Sequence, residues 1–510
     1  MSLTKLNTKI HLFVLVIIGL LFALPLLING CLLAHDTWAH LVYAKHFSEQ
    51  LWQGDLYPRW LYNMNYGLGS PTFFFYAPIP YYFSSLFFPW LNPDHAACNQ
   101  LSLSCTLALI LSGITSYFFL REIVDKNSAL LASIIYMIWP YHLEIDLYKR
   151  FAFAEYWSFV WMPLILYFTI KLVKGSSLNI LGLAISYSCL VLTHLATFII
   201  FFPVPIGYAL LIGSRQGWKK VLFRLILAII LMMGLSAIYW FPAMTTQDSI
   251  SMETIQTKAF FYANNFFFTG PKVEHNKLFW KSLEILTILT GMLAFSSWKI
   301  SRKHSKVDVI VQSNYWLFVA VLSIFMMLPL SELLWELVPI IQRIQFPWRF
   351  NTILTVANTI LLALAIDTIK IKRIFFSKEN LLKIAVYLFT ISLVIVVLQL
   401  LATQKKAIFW GSNNTIIIIT IIALILVFST NYKILINSKN KKYLAIICIL
   451  TTSIFVHSIL IMSVSIKALN NENINDILEY SQGAAEHRPQ WVPPQIFYQS
   501  GEIQYGKNFR

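Results

Sequence analysis

The chain has 510 residues, of which 57% are hydrophobic and only 12% charged. That balance excludes a soluble globular domain and leaves an integral membrane protein. The net charge of +16 at pH 7 sits largely in short basic loops between apolar segments, where it reads as an insertion signal, so nucleic acid is not implied as a partner.

A membrane-crossing helix needs about 20 apolar residues. Backbone groups in lipid must be satisfied within the segment, so the spans are helices. In chain order they are expected at 12–34, 98–120, 128–143, 157–173, 178–193, 195–213, 221–243, 277–297, 312–330, 351–369, 381–401, 414–430 and 443–465. The uninterrupted stretch 177–213 would exceed about 50 Å as one helix at about 1.5 Å per residue. It is therefore expected to turn near Thr193-His194.

Segment 72–91 is long enough to span, but it follows Pro71 and carries Pro78, Pro80 and Pro89 among many aromatics. Charge decides its placement. If it lies in the interface or re-enters, the basic loops 215–224, 299–306, 370–383 and 433–442 join Lys5 and Lys9 on one side. That side then holds about 23 Lys/Arg and about 5 Asp/Glu, against about 16 and about 18 on the other, the positive-inside pattern. The expectation is an all-α membrane protein of about 13 transmembrane helices, with an amphipathic, interfacial first outer loop at 35–97. The N-terminus is cytoplasmic and the C-terminus outside, with a transmembrane unit over 1–465 and an outer tail over 466–510. The first span has no convincing cleavage site after Cys31–Ala34 and reads as a retained anchor. The Lys/Ile/Asn-rich usage points to a bacterial inner membrane. The five cysteines, Cys31, Cys98, Cys105, Cys189 and Cys448, show neither metal spacing nor a disulfide framework.

The unusual residues gather in the outer loops 35–97, 144–156, 244–276 and 331–350, where function is expected. Asp36 and His40 are four apart and share one face of a helix that continues through Tyr43 and Phe47. Asp36 is either only the N-cap of that helix or also a functional carboxylate at headgroup level. Asp55 and Arg59 flank a turn punctuated by Gly54 and Pro58. Arg59 has the planar fork that suits phosphate, or it pairs with Asp55 or a lipid headgroup. Gly67, Gly69 and Pro71 mark a tight turn. Glu155 stands at a span boundary, where a buried carboxylate needs a partner, with Arg150 as the candidate. His194 sits at the expected turn between two spans, where a hydrogen-bonded helix end is the ordinary reading. Arg349 enters a span from the outer side against the charge rule and calls for an anionic partner, from the protein or from a substrate.

Taken together, His35-Asp36 with His40, the run Gly54-Asp55-Leu56-Tyr57-Pro58-Arg59-Trp60, Gly67-Leu68-Gly69-Ser70-Pro71 with Tyr76, Tyr148-Lys149-Arg150 with Glu155, His194, and Phe346-Pro347-Trp348-Arg349 resemble a bacterial and archaeal multi-spanning family. That family is labelled "6-pyruvoyl-tetrahydropterin synthase-related", although the chain shows no zinc-binding histidine set. The family in turn is similar to the integral-membrane glycosyltransferases of the GT-C fold. Those take a sugar from a polyprenyl-phosphate carrier on the outer face and carry an acidic residue just after the first helix, matched here by Asp36. A second acidic residue in another outer loop is matched by Glu155.

The resemblance implies Asp36 and Glu155 as catalytic carboxylates. It also implies a substrate-binding set of His35, His40, Asp55, Arg59, Arg150, His194 and Arg349, and membrane lipid and a polyprenyl-phosphate sugar donor as partners. Many relatives carry a paired acidic motif where this chain has Asp36 alone. A divalent metal is therefore left open, and no other cofactor is implied. The rival classes are a lipid-linked glycan transporter or flippase and an envelope-assembly scaffold.

Overall fold

The computed structural model describes residues 3–369 apart from 33, 93–95, 176, 214–216, 248–259, 270–276 and 304–305, and describes 474–475 and 477–479 beyond them. The expected spans 381–401, 414–430 and 443–465, and all of the tail but those last residues, lie outside the described residues. Among the described residues, eight helices are long and apolar enough to cross a membrane, and no strand is present beyond the isolated bridge Leu61–Ser70.

The helices run in chain order as α1 (Leu3–Asn29), α2 (Thr37–Trp52), the short α3 (Thr72–Phe75) and α4 (Ile79–Ser85), α5 (Ala96–Leu120) and α6 (Lys126–Met137). Then follow α7 (Phe153–Lys174), α8 (Ser177–Val191), α9 (Leu195–Phe201), α10 (Pro203–Gly213) and α11 (Trp218–Thr245). Three further spans are Lys277–Ser301, Val307–Met326 and Asn351–Ile369. α5 packs on α1, α6 and α7, and Asn351–Ile369 packs on Lys277–Ser301, Val307–Met326 and α6. α7 and the Asn351–Ile369 helix are the most enclosed spans and α11 the least. The bundle is therefore built around α7, while α11 presents Ile230, Ile238, Phe241 and Met244 outward, as a lipid-facing helix does.

The break near Thr193-His194 is present: α8 ends at Val191 and α9 starts at Leu195. Segment 72–91 forms α3, α4 and a 3₁₀ turn at Phe88–Trp90, none long enough to span. Its prolines stand at the starts of these pieces, where a missing N–H costs nothing.

Two expectations need correction. The span expected at 128–143 ends as an α-helix at Met137, and after Pro140 the chain continues as a π-helix over Tyr141–Lys149. The bond from Arg150 N–H to the Ile145 carbonyl, five residues back, is 2.9 Å long. Part of what the sequence offered as an outer loop is therefore helix. The cysteines also hold a pairing that spacing did not reveal. Cys31, just beyond α1, and Cys98, in the first turn of α5, form a disulfide with Cα atoms 5.2 Å apart, within the ordinary range for such a bridge.

Candidate functional site

The π-helix is where the site begins. Such helices hold under about 1% of residues in globular proteins, usually as single turns near functional positions. This one is nine residues long and all but Lys149 are buried. Its C-terminal carbonyls have no helical partner, and the first outer loop supplies one. Asp36 N–H donates to the Arg150 carbonyl at 2.8 Å and His35 N–H to the Lys149 carbonyl at 3.3 Å. The chain leaves the π-helix through Phe151, whose φ of +54° is left-handed. A non-glycine residue there costs of order 1–3 kcal/mol. The reversal is held by the Ala152 N–H on the Asp146 carbonyl at 2.7 Å. It turns Glu155, in the first turn of α7, back toward Arg150.

Glu155 is the hub. Its Oε1 accepts from the Tyr141 hydroxyl at 2.9 Å and from the Thr352 hydroxyl at 3.0 Å. Its Oε2 accepts from Arg150 Nη1 at 2.9 Å and lies 3.4 Å from Arg349 Nε. Arg150 also donates to Asp146 at 2.8 Å and lies over the Trp348 ring, 4.5 Å from its centroid. Arg349 donates from Nη1 to the Ile344 carbonyl at 2.8 Å and lies over Phe346. The expected pairing of Glu155 with Arg150 is present, and the anionic partner required for Arg349 is the same glutamate. Tyr141 and Thr352 were missed. The first is placed by a π-helix that no α-helical periodicity foretells. The second stands three residues after Arg349 at the start of a span, a helical spacing that could have been noticed.

Asp36 differs from Glu155. It holds the N-cap position of α2, yet its side chain makes no capping hydrogen bond. Capping by a side-chain oxygen is the ordinary role of aspartate there, so the cap-only reading is set aside. The residue as a whole is half-buried. Burial pushes its pKa above the usual carboxylate value, against the pull of the nearby Arg150 and Arg349. Asp146 is also pushed up, by burial and then by Glu155.

The histidines are neutral at physiological pH. Burial, then the cations Lys149 and Arg150, lowers His35 to about 4. Burial, then Arg150, lowers His40 to about 3, and His40 Nδ1 lies 2.6 Å from the Tyr81 hydroxyl. His194 falls to about 3 through burial and then Arg349. It caps α9, its ring nitrogen accepting from the Thr197 N–H at 3.4 Å. Neutral, these three have no charge with which to pair a phosphate.

Asp55 and Arg59 stand outside this network. Asp55 Oδ1 accepts the Tyr57 N–H at 3.1 Å and closes the turn. Arg59 lies over the Tyr57 ring and donates from Nη2 to the Ile238 carbonyl at 2.9 Å. In α11 that carbonyl would normally accept from residue 242, which is a proline with no N–H to give. Arg59 thus supplies the bond that Pro242 removes and docks the first outer loop on α11. At the tight turn, Gly67 and Gly69 both have positive φ, and a Cβ at Gly69 would run into the Trp60 indole.

The donor set does not make a cation cage. Both oxygens of Glu155 are engaged, and no group of three or more His, Cys, Asp or Glu is placed to hold a metal among the described residues.

Comparison of the sequence with family models found no match, nor did comparison with curated proteins, so the pterin-synthase-related label has no support. Comparison of structures found ArnT from Cupriavidus metallidurans bound to undecaprenyl phosphate, with a TM-score of 0.54 and 13% identity over 91% of this chain and 78% of that one. The apo state of ArnT from the same organism matches with a TM-score of 0.51 and 11% identity over the same shares. At such low identity the likeness concerns the fold alone, which is GT-C-like, as the resemblance implied.

Proposed function

We propose that the chain is a membrane glycosyltransferase that uses a sugar carried on a polyprenyl phosphate, in assembly of an envelope glycan or glycolipid. The observation that carries this reading is the division of labour between the two carboxylates. Glu155 is saturated and only 1% exposed in its side chain, whereas Asp36 is part-exposed, does not cap its helix and has two arginines nearby. The undecaprenyl phosphate bound to the ArnT neighbour adds a ligand class of the right chemistry.

In this mechanism the acceptor hydroxyl attacks the anomeric carbon as the bond from that carbon to the phosphate oxygen breaks. The polyprenyl phosphate leaves with the bonding electrons, and the configuration inverts. Asp36 takes the hydroxyl proton. A carboxylate whose pKa is pushed up by burial is the stronger base, which suits that task. Arg349 has a guanidinium nitrogen left beyond its contacts with Glu155 and Ile344, and it faces the charge that develops on the departing phosphate. Arg150, held between Asp146 and Glu155, fixes the field of the site. The site faces the outer side of a bacterial inner membrane, with the N-terminus inside, in keeping with the charge asymmetry of the loops.

Asp36→Asn is the test. The amide keeps the shape and removes the base. In a deletion strain complemented with each variant, Asp36→Asn should reach the membrane in normal amounts and lose transfer by about a hundredfold or more. Full complementation would eliminate the assignment of Asp36 as base.

A further inference from the structure

Three hydrogen-bond donors and a second arginine in ion-pair contact converge on Glu155. A carboxylate offers about four lone-pair positions, and here Tyr141 and Thr352 occupy one oxygen while Arg150 and Arg349 face the other. The donors come from the π-helix and from the helix entered at Arg349, and Glu155 itself from α7. A substrate hydroxyl has nowhere to bind on it. Asp36 lies beside the same two arginines, pinned there by its own N–H on the Arg150 carbonyl. Its carboxylate nevertheless makes no ion pair with either, while Glu155 makes both.

From this geometry we infer that Glu155 is a positioning residue that sorts the charges of the site. It draws both arginines to itself, so that Asp36 stays unpaired and able to take a proton. The inference deepens the reading of Asp36 as base and removes Glu155 from direct contact with substrate. Without the glutamate charge, Arg150 would keep Asp146, while Arg349 would be left with Asp36 as its acidic neighbour. An opposite charge within a few ångströms typically lowers a carboxylate pKa by about 1–3 units. The groups that bear on Asp36 are Arg150 just after the π-helix, Glu155 from α7, Arg349 from the last described span, and Tyr76 and Tyr81 from the first outer loop. Asp146, Tyr141 and Lys149 of the π-helix, with His35, His40 and His194, stand around the same arginines and glutamate and complete the set. Among the acids of this set, Glu155 alone contacts both arginines.

The protonation of Asp36 can be read without any transfer assay. Carbodiimide reagents label carboxyl groups in the protonated form, and mass spectrometry of the full-length protein in vesicles gives the labelled fraction at Asp36 over a pH series. Glu155→Gln should move the half-labelling point of Asp36 acid-ward by about one unit or more, a roughly tenfold drop in labelling at fixed pH. Glu155→Asp keeps the charge and should stay near wild type, as should Tyr141→Phe and Thr352→Val. An unmoved or alkaline-shifted midpoint in Glu155→Gln overturns the inference, and so does a Glu155→Asp midpoint that moves as far. Should Glu155→Gln fail to fold, Arg349→Gln tests the same sorting with the opposite sign. Its midpoint must rise, and an unchanged one overturns the inference. Labelling that shifts as stated, alongside full transfer by Asp36→Asn, would sink the catalytic reading and leave the charge sorting intact.

Discussion

The two ends of α7 carry the same composition and behave differently. At one end Glu155 faces Arg150 and Arg349, with side-chain exposures of 1%, 6% and 14%. At the other, Glu122 takes Lys171 at 2.7 Å and Lys174 at 2.6 Å, and those lysines are 28% and 55% exposed. A glutamate with two cations is thus present twice. In water such a group is screened and costs flexible side chains their freedom, so it contributes little. Enclosed, the same charges are expensive to desolvate and persist only with full hydrogen bonding. The lesson is that burial and converging hydrogen bonds, rather than the presence of an ion pair, separate the candidate site from a solvated helix end.

Breaking the enclosed end should do the most harm. Arg150→Met leaves Asp146 and Glu155 without their shared cation and should cost about 3–5 kcal/mol, read as thermal unfolding in detergent. A loss near zero would place the enclosed end on a par with the open one. Next comes the Cys31–Cys98 bridge, which ties the α1 end nearest Asp36 to α5. The double serine variant should lose about 2–4 kcal/mol, and an equal loss on adding reductant to the wild type would identify the bridge as the cause. Thr352→Val removes one hydrogen bond to the enclosed glutamate and should cost about 1.5–3 kcal/mol in the same assay.

The smallest effect belongs to Glu122→Gln, about 0–1 kcal/mol, and its pH dependence sharpens the contrast. Partial burial pushes the Glu122 pKa up, but the hydrogen bonds from Lys171 and Lys174 outweigh it and hold the carboxyl below its ordinary 4.5. A lowered folded-state pKa gives stability that is present above 4.5 and lost as the pH falls through the folded value. The difference between wild type and Glu122→Gln should therefore vanish in acid, and a difference that grows instead would refute the assignment.

Much of the fold could be read from apolar length alone, because lipid leaves few alternatives to the helix. Spans such as 98–120, 221–243 and 351–369 fell within a few residues of α5, α11 and Asn351–Ile369. The break after Val191 was visible because one helix would have been too long. The site was partly legible. Glu155 and Arg349 drew notice as charges at span boundaries, and each has the kind of partner such a charge demands. Asp36 was singled out, but between a cap alone and a cap that is also a functional carboxylate the sequence could not choose, because aspartate before a helix usually caps it. Two arrangements escaped. The bond from Arg59 to Ile238 was hidden, because it depends on a proline 183 positions later in the chain, Pro242. Tyr141 and Asp146 looked unrelated, because five-residue spacing carries no meaning in an α-helix.

That spacing makes chain length a property of the site. Between Pro140 and Phe151 the backbone repeats with bonds five residues apart. Delete one residue there and ordinary bonds four residues apart become available. Everything after the deletion then turns by about 100° relative to what precedes it. The Arg150 carbonyl would rotate away from the Asp36 N–H it now holds, and Glu155 away from the Tyr141 hydroxyl. A homologue with every side chain of the site but one residue fewer in this segment would spell that site without possessing it. In judging which other chains share this chemistry, the count of residues from Pro140 to Phe151 carries as much information as their identities.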